Sequence, residues 1–394
     1  MLTLEPFSFT EADADTERFA ERKTIPSGIP QFLWDMENVF IKSIPAQHQA
    51  QQKGLKMLQD RHPGRPIVLV SEGFFFGSIA TYLDAPGIKP TATLGLGIIP
   101  MTLGSIDTAP FGPGLPPDSS PEGRERNKAM YAGLGKMFEK PTKRFQEVLK
   151  EVGAKETDIF FLDAQYLGPD RFLQMCTPSV EYPRSDAPAS IKFAGGLPKG
   201  HRDPFTNPPS WWGEIINNKT KKIILVSQGS VAMNFSNLVI PTMEGLKDRE
   251  DIITVVALGR KGAELPSGTP VPSNARVADF VPFDEVLPHC AVFITNGGYG
   301  AFQHAISNGT PLIVAGNTED KPEVAQRAEW SGFGLNLRTE TPSPELVLKS
   351  VDEIVLNDKF KKRALELEAE MESFDPIGVV AQTIDDLAAG KHKV

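Results

Sequence analysis

One stretch of this chain, residues 295–322, constrains the fold more than any other: TNGGYGAFQHAISNGTPLIVAGNTEDKP. An apolar run at 292–294 leads into a glycine turn, which we define as Gly297, Gly298 and Gly300. A helix-like segment follows, and a second apolar run, 312–314, ends in a polar loop. Glycines let the backbone approach an anion, and a helix N-terminus offers unpaired N–H groups and positive partial charge. The pattern predicts a strand–turn–helix–strand unit that can bind a nucleotide.

The glycine turn alone leaves two interpretations open, because a glycine-rich turn before a helix is often only a turn. The downstream half favours a binding site. Gly309-Thr310-Pro311 ends the helix, and the next strand delivers Asp320 and Lys321 to its carboxyl end. In open parallel α/β sheets, ligands bind at that edge.

Residues 280–322 resemble the donor-sugar signature of the UDP-glycosyltransferase superfamily, the inverting enzymes of glycosyltransferase family 1 with the GT-B fold. That signature has an aromatic-x-Pro element, a Thr-His-x-Gly-x-Gly-type turn, a Glu, Gly-Val-Pro and finally Asp-Gln. The matching positions of this chain follow in the same order and spacing: Phe280-Val281-Pro282, Thr295-Asn296-Gly297-Gly298-Tyr299-Gly300, His304, Gly309-Thr310-Pro311 and Asp320-Lys321.

The resemblance implies a role for each matched residue. Phe280 would stack on the uracil ring, and the backbone of Val281 would read the edge of that ring. The glycine turn would hold the diphosphate, and Asp320 would hydrogen-bond hydroxyls of the donor sugar. Upstream, Gly229-Ser230 follows a predicted strand. On the residues alone this is either an ordinary turn or a phosphate-binding one, and the resemblance favours a diphosphate contact.

Three donor-site positions depart from the family pattern. Asn296 stands where a histidine usually contacts phosphate, and His304 stands where a carboxylate usually holds the ribose. Lys321 replaces the glutamine that helps to select the sugar. Amide and imidazole groups can still hydrogen-bond these partners. Nucleotide binding therefore remains the prediction, whereas the identity of the sugar does not follow.

The fold class is predicted to be α/β, because strands alternate with helices throughout the second half. The resemblance implies two Rossmann-like, doubly wound domains facing a cleft, with an acceptor-side domain over 1–205, a donor-binding domain over 206–375 and a C-terminal helix over 376–394 that crosses back. A Pro- and Gly-rich stretch, 195–210, is typical of a linker. Strands are predicted at 67–70, 91–99, 159–163, 223–226, 252–258, 275–280, 292–295 and 312–315, and helices at 124–152, 237–246 and 344–355.

In the first half, an aromatic cluster around Phe74-Phe75-Phe76 either lines an acceptor pocket or packs in the core. Residues 107–126 are rich in Gly and Pro. A loop of that length within a domain is usually functional or disordered. We expect it to lie over the acceptor cleft.

The resemblance also implies a general base, a histidine that follows the first strand of the family. The first histidine here, His48, lies in a polar helix-like stretch, and we expect both it and His62 on the surface. We therefore expect the first domain to be incomplete, without the catalytic histidine and the innermost strands. We attribute this to a truncated or mis-assigned start of the chain. Glu72 matches the aspartate partner of that base; on the residues alone it is equally a polar residue at a strand end.

The function that the resemblance implies is transfer of a hexose from a UDP-sugar to a small lipophilic alcohol or phenol, with inversion at the anomeric carbon. UDP-sugar is then a substrate, and no cofactor or metal is expected. Two alternatives stay open: a non-catalytic nucleotide-sugar-binding helper that has lost the base, and a GT-B-like nucleotide-sugar epimerase or hydrolase.

The amino-acid composition argues against several other classes of protein. A formal net charge of −9, from 41 Lys and Arg against 50 Asp and Glu, disfavours nucleic-acid binding, which needs basic surface. The 2 cysteines lack metal-ligand spacing and form no disulfide framework. No apolar run reaches membrane-spanning length, and the acidic N-terminus does not have the basic start of a secretion signal. We expect a cytoplasmic enzyme that contacts a membrane only through a lipid acceptor.

Overall fold

The computed structural model describes residues 17–391 apart from 27, 197–204, 206 and 231. Most of the predicted linker lies outside the described residues, as does residue 206, where the donor-binding domain is predicted to begin. The chain forms two parallel sheets, the first within residues 68–193 and the second within 222–336. Helices pack against both.

The first domain is helix-rich, and its strands are short. Between its helices the chain also makes a π-helical turn at Met36–Phe40 and 3₁₀ turns at Ile41–Ser43 and Pro178–Val180. Its elements are α1 Glu17–Thr24, α2 Ile29–Asp35, α3 Ile44–Arg61, β1 Val68–Glu72, α4 Gly77–Tyr82, β2 Ala92–Gly97, α5 Pro121–Met137, α6 Glu139–Glu151, α7 Phe161–Leu167, β3 Arg171–Gln174 and β4 Ile191–Phe193.

The first sheet has the order β1-β2-β3-β4, with every pair parallel. Successive side chains of a strand point to opposite faces. Leu173 accordingly lies in the apolar cluster of one face, while Phe172 packs on Tyr166 of α7 with ring centroids 4.5 Å apart on the other. The first of these clusters also holds Leu387, from the last helix of the chain.

The second domain repeats the strand–helix alternation that the sequence predicts. A 3₁₀ turn lies at Leu287–His289. The domain's elements are α8 Trp212–Ile216, β5 Lys222–Ser227, α9 Val239–Leu246, β6 Ile252–Ala257, β7 Ala275–Ala278, α10 Phe283–Val286, β8 Val292–Thr295, α11 Tyr299–Ser307, β9 Leu312–Val314, α12 Lys321–Trp330, β10 Gly334–Asn336, α13 Pro344–Val355 and α14 Asp358–Glu372. The last helix, α15 Pro376–Ala388, packs instead on the first sheet.

The second sheet has the order β10-β9-β8-β5-β6-β7, and all of its strand pairs are parallel. Its central strands are buried on both faces: Ile223 and Leu225 lie in one apolar cluster, Ile224 and Val226 in the other. The strands of a sheet that is covered on both faces have continuous runs of β-branched and apolar residues in their sequences. Two parallel sheets clad with helices confirm the predicted α/β class.

Three predictions for the first domain are wrong. The strand predicted at 159–163 is instead the start of α7, where Phe160 and Phe161 pack against other aromatic rings between helices. The helix predicted at 124–152 breaks at buried Phe138 into α5 and α6. His48 is not on the surface: it is 7% exposed, and its Nδ1 lies 3.4 Å from Thr81 Oγ1.

A buried ionic cluster joins the two domains. Arg327 of α12 pairs with Glu181 of the first domain (Nη2 to Oε1, 2.6 Å) and with Glu323 (Nη1 to Oε2, 2.9 Å). Arg184 also pairs with Glu181, at 3.1 Å. Burial alone would raise the pKa of Glu181, but the guanidinium groups of Arg327 and Arg184 outweigh it and hold that pKa at about 2.

Glu323 also anchors the Gly- and Pro-rich loop. Its Oε1 accepts hydrogen bonds from the N–H groups of Gly112 (2.7 Å) and Gly114 (3.0 Å). Gly114 has φ +62° and passes so close to Pro322 that a Cβ there would lie 2.4 Å from the Pro322 carbonyl oxygen. The loop therefore rests on the start of α12, two residues beyond Asp320.

Candidate functional site

A cavity of about 540 Å³ opens at the carboxyl ends of β5 and β6 in the second domain. This is the edge where parallel α/β sheets bind ligands. Six of the residues predicted to bind the donor line it: Gly229, Ser230, Phe280, Val281, Gly300 and His304. The structure therefore brings together residues that lie up to 75 positions apart in the sequence.

The glycine turn leads from β8 into α11. Gly297 has φ +95°, and a Cβ there would lie 2.7 Å from Val314 Cγ1, so only glycine fits without strain. Gly298 is the N-cap of α11, and no described side chain caps that end. A Cβ at Gly298 or Gly300 would meet no described atom within 4 Å. An uncapped helix N-terminus with open space before it suits an anion.

Three strand-end turns pack together beside this cavity, and two of them line it. Gly259, which follows β6, has φ +92°, and a Cβ on it would lie 2.0 Å from the Gly229 carbonyl oxygen. A Cβ on Gly229 would lie 3.9 Å from Asn296 Oδ1, so Asn296 adjoins the same turn. Gly259 was not predicted as a site residue, although a glycine directly after a buried strand is a signal that sequence reasoning could have used.

Phe280 lines the cavity with an aromatic side chain. The residue is 42% exposed, whereas the neighbouring Val281 is buried. The N–H of Phe280 donates to Asp279 Oδ1 at 2.7 Å, which fixes the start of this segment. A large exposed ring beside an open cavity is suited to stacking on a flat heterocycle.

One wall of the cavity is formed by His304, which was predicted, together with Asp284 and Glu285 of α10, which were not. His304 Nδ1 lies 2.8 Å from Asp284 Oδ1. Asp284 stands only two residues after Pro282. It was not predicted because its contact with α11, the helix that follows the glycine turn, arises from tertiary packing.

Asp320 and Lys321 lie at the carboxyl end of β9 but do not line this cavity. Asp320 is half-buried, and burial raises its pKa to about 6 even though the Lys321 ammonium group lowers it in part. Lys321 Nζ donates to Glu319 Oε2 (2.5 Å) and Thr318 Oγ1 (3.2 Å). A Cβ on Gly297 would lie 3.4 Å from the Lys321 Cβ, so this loop adjoins the glycine turn.

Glu72 lies apart from these residues, at the end of β1 in the first domain. Burial raises its pKa, and the N–H groups of Phe74 and Gly73 lower it in part. A narrow gap beside it is lined by Tyr82 and Gln165 among others, and no histidine is among its described lining residues. The structure thus places Glu72 in a half-buried position without a histidine partner in the described part.

Within the described residues, no three His, Cys, Asp or Glu side chains converge as metal ligands would. Nor does any helix there combine the length and apolar character that crossing a bilayer requires.

The sequence resembles known proteins over most of its length. Residues 245–387 match the family described as erythromycin biosynthesis protein CIII-like, C-terminal domain. UDP-glucosyltransferase A1 of Starmerella bombicola is 40% identical over 93% of this chain and 78% of its own. UDP-glycosyltransferase 2 of Phaeomoniella chlamydospora is 39% identical over 98% of this chain and 86% of its own.

Two solved structures resemble this protein in fold. The glycosyltransferase of kitacinnamycin has a TM-score of 0.64 at 20% identity, over 88% of this chain and 83% of its own. Glycosyltransferase VinC in complex with dTDP has a TM-score of 0.57 at 16% identity, over 91% of this chain and 81% of its own. At these identities the likeness establishes the fold alone, and it confirms the predicted GT-B architecture of two Rossmann-like domains.

Proposed function

Because the chain belongs to the UDP-glycosyltransferase superfamily, we propose that it transfers a hexose from a UDP-sugar to a hydroxyl group of a small lipophilic acceptor, with inversion. The family identifies it as a UDP-glycosyltransferase with a nucleotide-sugar donor. The choice of hexose, the acceptor class and the stereochemistry are our proposal.

The observation that carries this proposal is the convergence of two kinds of contact on one cavity. The exposed ring of Phe280 stands at its rim, and Gly300, in the first turn of α11, lines its wall. A nucleoside diphosphate has a flat base at one end and an anion at the other. We assign the base to Phe280, the diphosphate to the glycine turn with Gly229 and Ser230, and the sugar hydroxyls to Asp320.

In the proposed reaction the acceptor oxygen attacks the anomeric carbon from the face opposite UDP. A base takes the hydroxyl proton as the new bond forms, and UDP leaves with the electron pair of the broken bond. The N–H groups of the glycine turn and the N-terminus of α11 stabilise the charge that develops on the diphosphate. Glu72 is our candidate for orienting the base, as the resemblance implies.

The direct test is turnover. The protein is incubated with UDP-α-glucose and a panel of lipophilic alcohols and phenols, and the product is examined by NMR. We expect a β-glucoside and free UDP. UDP binding without any product would instead support a non-catalytic binding protein. Glucose or an epimerised sugar formed without acceptor would support a hydrolase or epimerase.

Replacement of Phe280 by alanine should weaken UDP binding. Stacking of a base on an aromatic side chain contributes about 1–3 kcal/mol, which corresponds to a loss of roughly 5- to 150-fold in affinity. Isothermal titration calorimetry measures the effect. Leu356→Ala removes a more exposed apolar side chain, at 83%, that does not line the cavity, and should leave the affinity unchanged. Equal affinities for wild type and Phe280→Ala would contradict the base assignment.

Binding of UDP-glucose should strengthen as pH rises through about 6, the pKa to which burial raises Asp320. Below that value the folded protein holds this carboxyl protonated; above it, the carboxylate accepts stronger, charge-assisted hydrogen bonds from sugar hydroxyls. We expect a gain of about five- to tenfold between pH 5 and 7. The gain should vanish in Asp320→Asn. A profile that is the same in both proteins would remove Asp320 from the sugar site.

A further inference from the structure

The chain contains two Asn-Gly pairs, Asn296-Gly297 in the glycine turn and Asn308-Gly309 at the C-terminal end of α11. Asparagine is a thermally labile residue. When glycine follows it, no Cβ hinders the peptide nitrogen from attacking the side-chain amide carbon. In a folded protein the reaction also requires that the amide can turn toward that nitrogen. The hydrogen bonds of each pair therefore decide whether it reacts.

The Asn296-Gly297 pair is loosely held. Asn296 is half-buried, and within the described part of the chain no group forms a hydrogen bond with its side-chain amide. The N–H of Gly297 makes a long contact of 3.4 Å with Thr295 Oγ1. Space is open beyond the pair, since a Cβ on Gly298 would meet no described atom within 4 Å. The amide of Asn296 is thus free to turn toward the nitrogen of Gly297.

The Asn308-Gly309 pair is firmly held. Asn308 is 6% exposed, and its Nδ2 donates to the carbonyl oxygen of His304 (2.8 Å) and to Asp284 Oδ1 (3.2 Å). The N–H of Gly309 donates to the carbonyl oxygen of Ile306 at 3.0 Å. Both the amide and the attacking nitrogen are engaged, so this pair serves as an internal control.

We propose that Asn296 is a site of spontaneous deamidation in the folded protein, and that its conversion to an acidic residue blocks the donor site. Solvent hydroxide removes the proton from Gly297 N, which then bonds to Cγ of Asn296. The side-chain nitrogen leaves as ammonia, taking the electron pair of its bond to Cγ and a proton from water. Water then opens the cyclic imide to give aspartate or isoaspartate, so that overall one water is consumed and one ammonia is released.

The new carboxylate lies beside the turn after β5. Asn296 Oδ1 adjoins Gly229, since a Cβ on that glycine would lie 3.9 Å away. In isoaspartate the main chain also gains a methylene group directly before Gly297, where a Cβ would lie 2.7 Å from Val314 Cγ1. A negative charge at this place repels a diphosphate. This consequence rests on the proposed function, whereas the chemistry of the pair does not.

The test follows the ageing of wild type at pH 8.5 without ligand. Peptide mapping by mass spectrometry measures the exchange of amide for acid at both pairs, and heavy-oxygen water marks the acid that forms. We expect conversion at Asn296 to be at least about tenfold faster than at Asn308, whose hydrogen bonds must first break. UDP binding, measured by calorimetry on the same samples, should fall in step with conversion at Asn296.

Two variants test the cause of that loss. Asn296→Asp carries one product from the start and should bind UDP at least about tenfold more weakly than fresh wild type. Asn296→Gln keeps an amide but closes the larger ring more slowly, so it should keep its own starting affinity through the same incubation.

The outcomes separate this inference from the function on which it rests. If Asn296 stays intact while a synthetic peptide of residues 292–299 converts, the fold protects the pair and the inference is overturned. Equal rates at Asn296 and Asn308, or conversion that leaves UDP affinity unchanged, would overturn it as well. If fresh wild type does not bind UDP, the proposed function fails and so does the blocking of the donor site, while the mass measurement still decides the chemistry of the pair.

Discussion

Replacement of Gly259 by alanine is expected to weaken UDP binding strongly, whereas the same replacement at Gly262 is expected to leave it nearly intact. The two glycines lie three residues apart and both have positive φ, +92° and +77°. A Cβ on Gly259 would lie 2.0 Å from the carbonyl oxygen of Gly229, while a Cβ on Gly262 would meet no described atom within 4 Å. Both variants carry the strain of a left-handed alanine, so their difference isolates the clash.

The clash involves two backbone segments, and neither can rotate away as a side chain could. The turn after β5 must move, and Gly229 and Ser230, which line the cavity, move with it. We expect an affinity loss of at least about 100-fold, equivalent to about 2.7 kcal/mol, and a lower melting temperature. Left-handed strain alone costs about 1–2 kcal/mol of stability at Gly262. UDP affinity of Gly259→Ala within a factor of two of wild type would contradict the assignment of this turn.

Replacement of Arg327 by methionine is expected to destabilise the protein by about 3–5 kcal/mol, because it leaves the carboxylates of Glu181 and Glu323 buried with fewer cationic partners. The Arg327 side chain is 1% exposed. The control is Arg338→Met, which breaks an ion pair with Glu329 on the surface and should cost about 0–1 kcal/mol. Chemical denaturation, followed by circular dichroism, compares the free energies of unfolding.

A second variant tests the cause of that loss. If the penalty comes from uncompensated charge, adding Glu181→Gln and Glu323→Gln to Arg327→Met should recover part of the stability. Since Glu323 also anchors Gly112 and Gly114, its loop should become more sensitive to proteolysis in Arg327→Met. A free energy of unfolding for Arg327→Met within 1 kcal/mol of wild type would contradict an energetic role of the cluster in holding the domains together.

The second domain was largely predictable from its sequence. Runs such as 252–257 are apolar at nearly every position because their strand is buried on both faces. The strand Val292–Thr295 and the helix Pro344–Val355 have the predicted bounds. Ser343 explains the sharp start of that helix, since its hydroxyl accepts from the N–H of Leu346.

The first domain and part of the site were not predictable, for physical reasons. Strands β3 and β4 have only 4 and 3 residues, too few for a periodic signal. His48 lies on α3, a helix with many polar side chains. Some of them are buried and form hydrogen bonds with a neighbouring helix, as Gln51 does with Thr81. Gly259 and Asp284 acquire their roles from tertiary neighbours on other strands and helices, which no local pattern reveals.

Titration of UDP into the folded protein, followed by calorimetry and by amide chemical shifts, tests the central claim most directly. The account predicts one UDP bound per chain, with the largest shift changes at the amides of Gly229, Ser230 and residues 297–300. Absence of heat and of any shift change at millimolar UDP would show that this cavity does not bind the nucleotide, and would contradict the account.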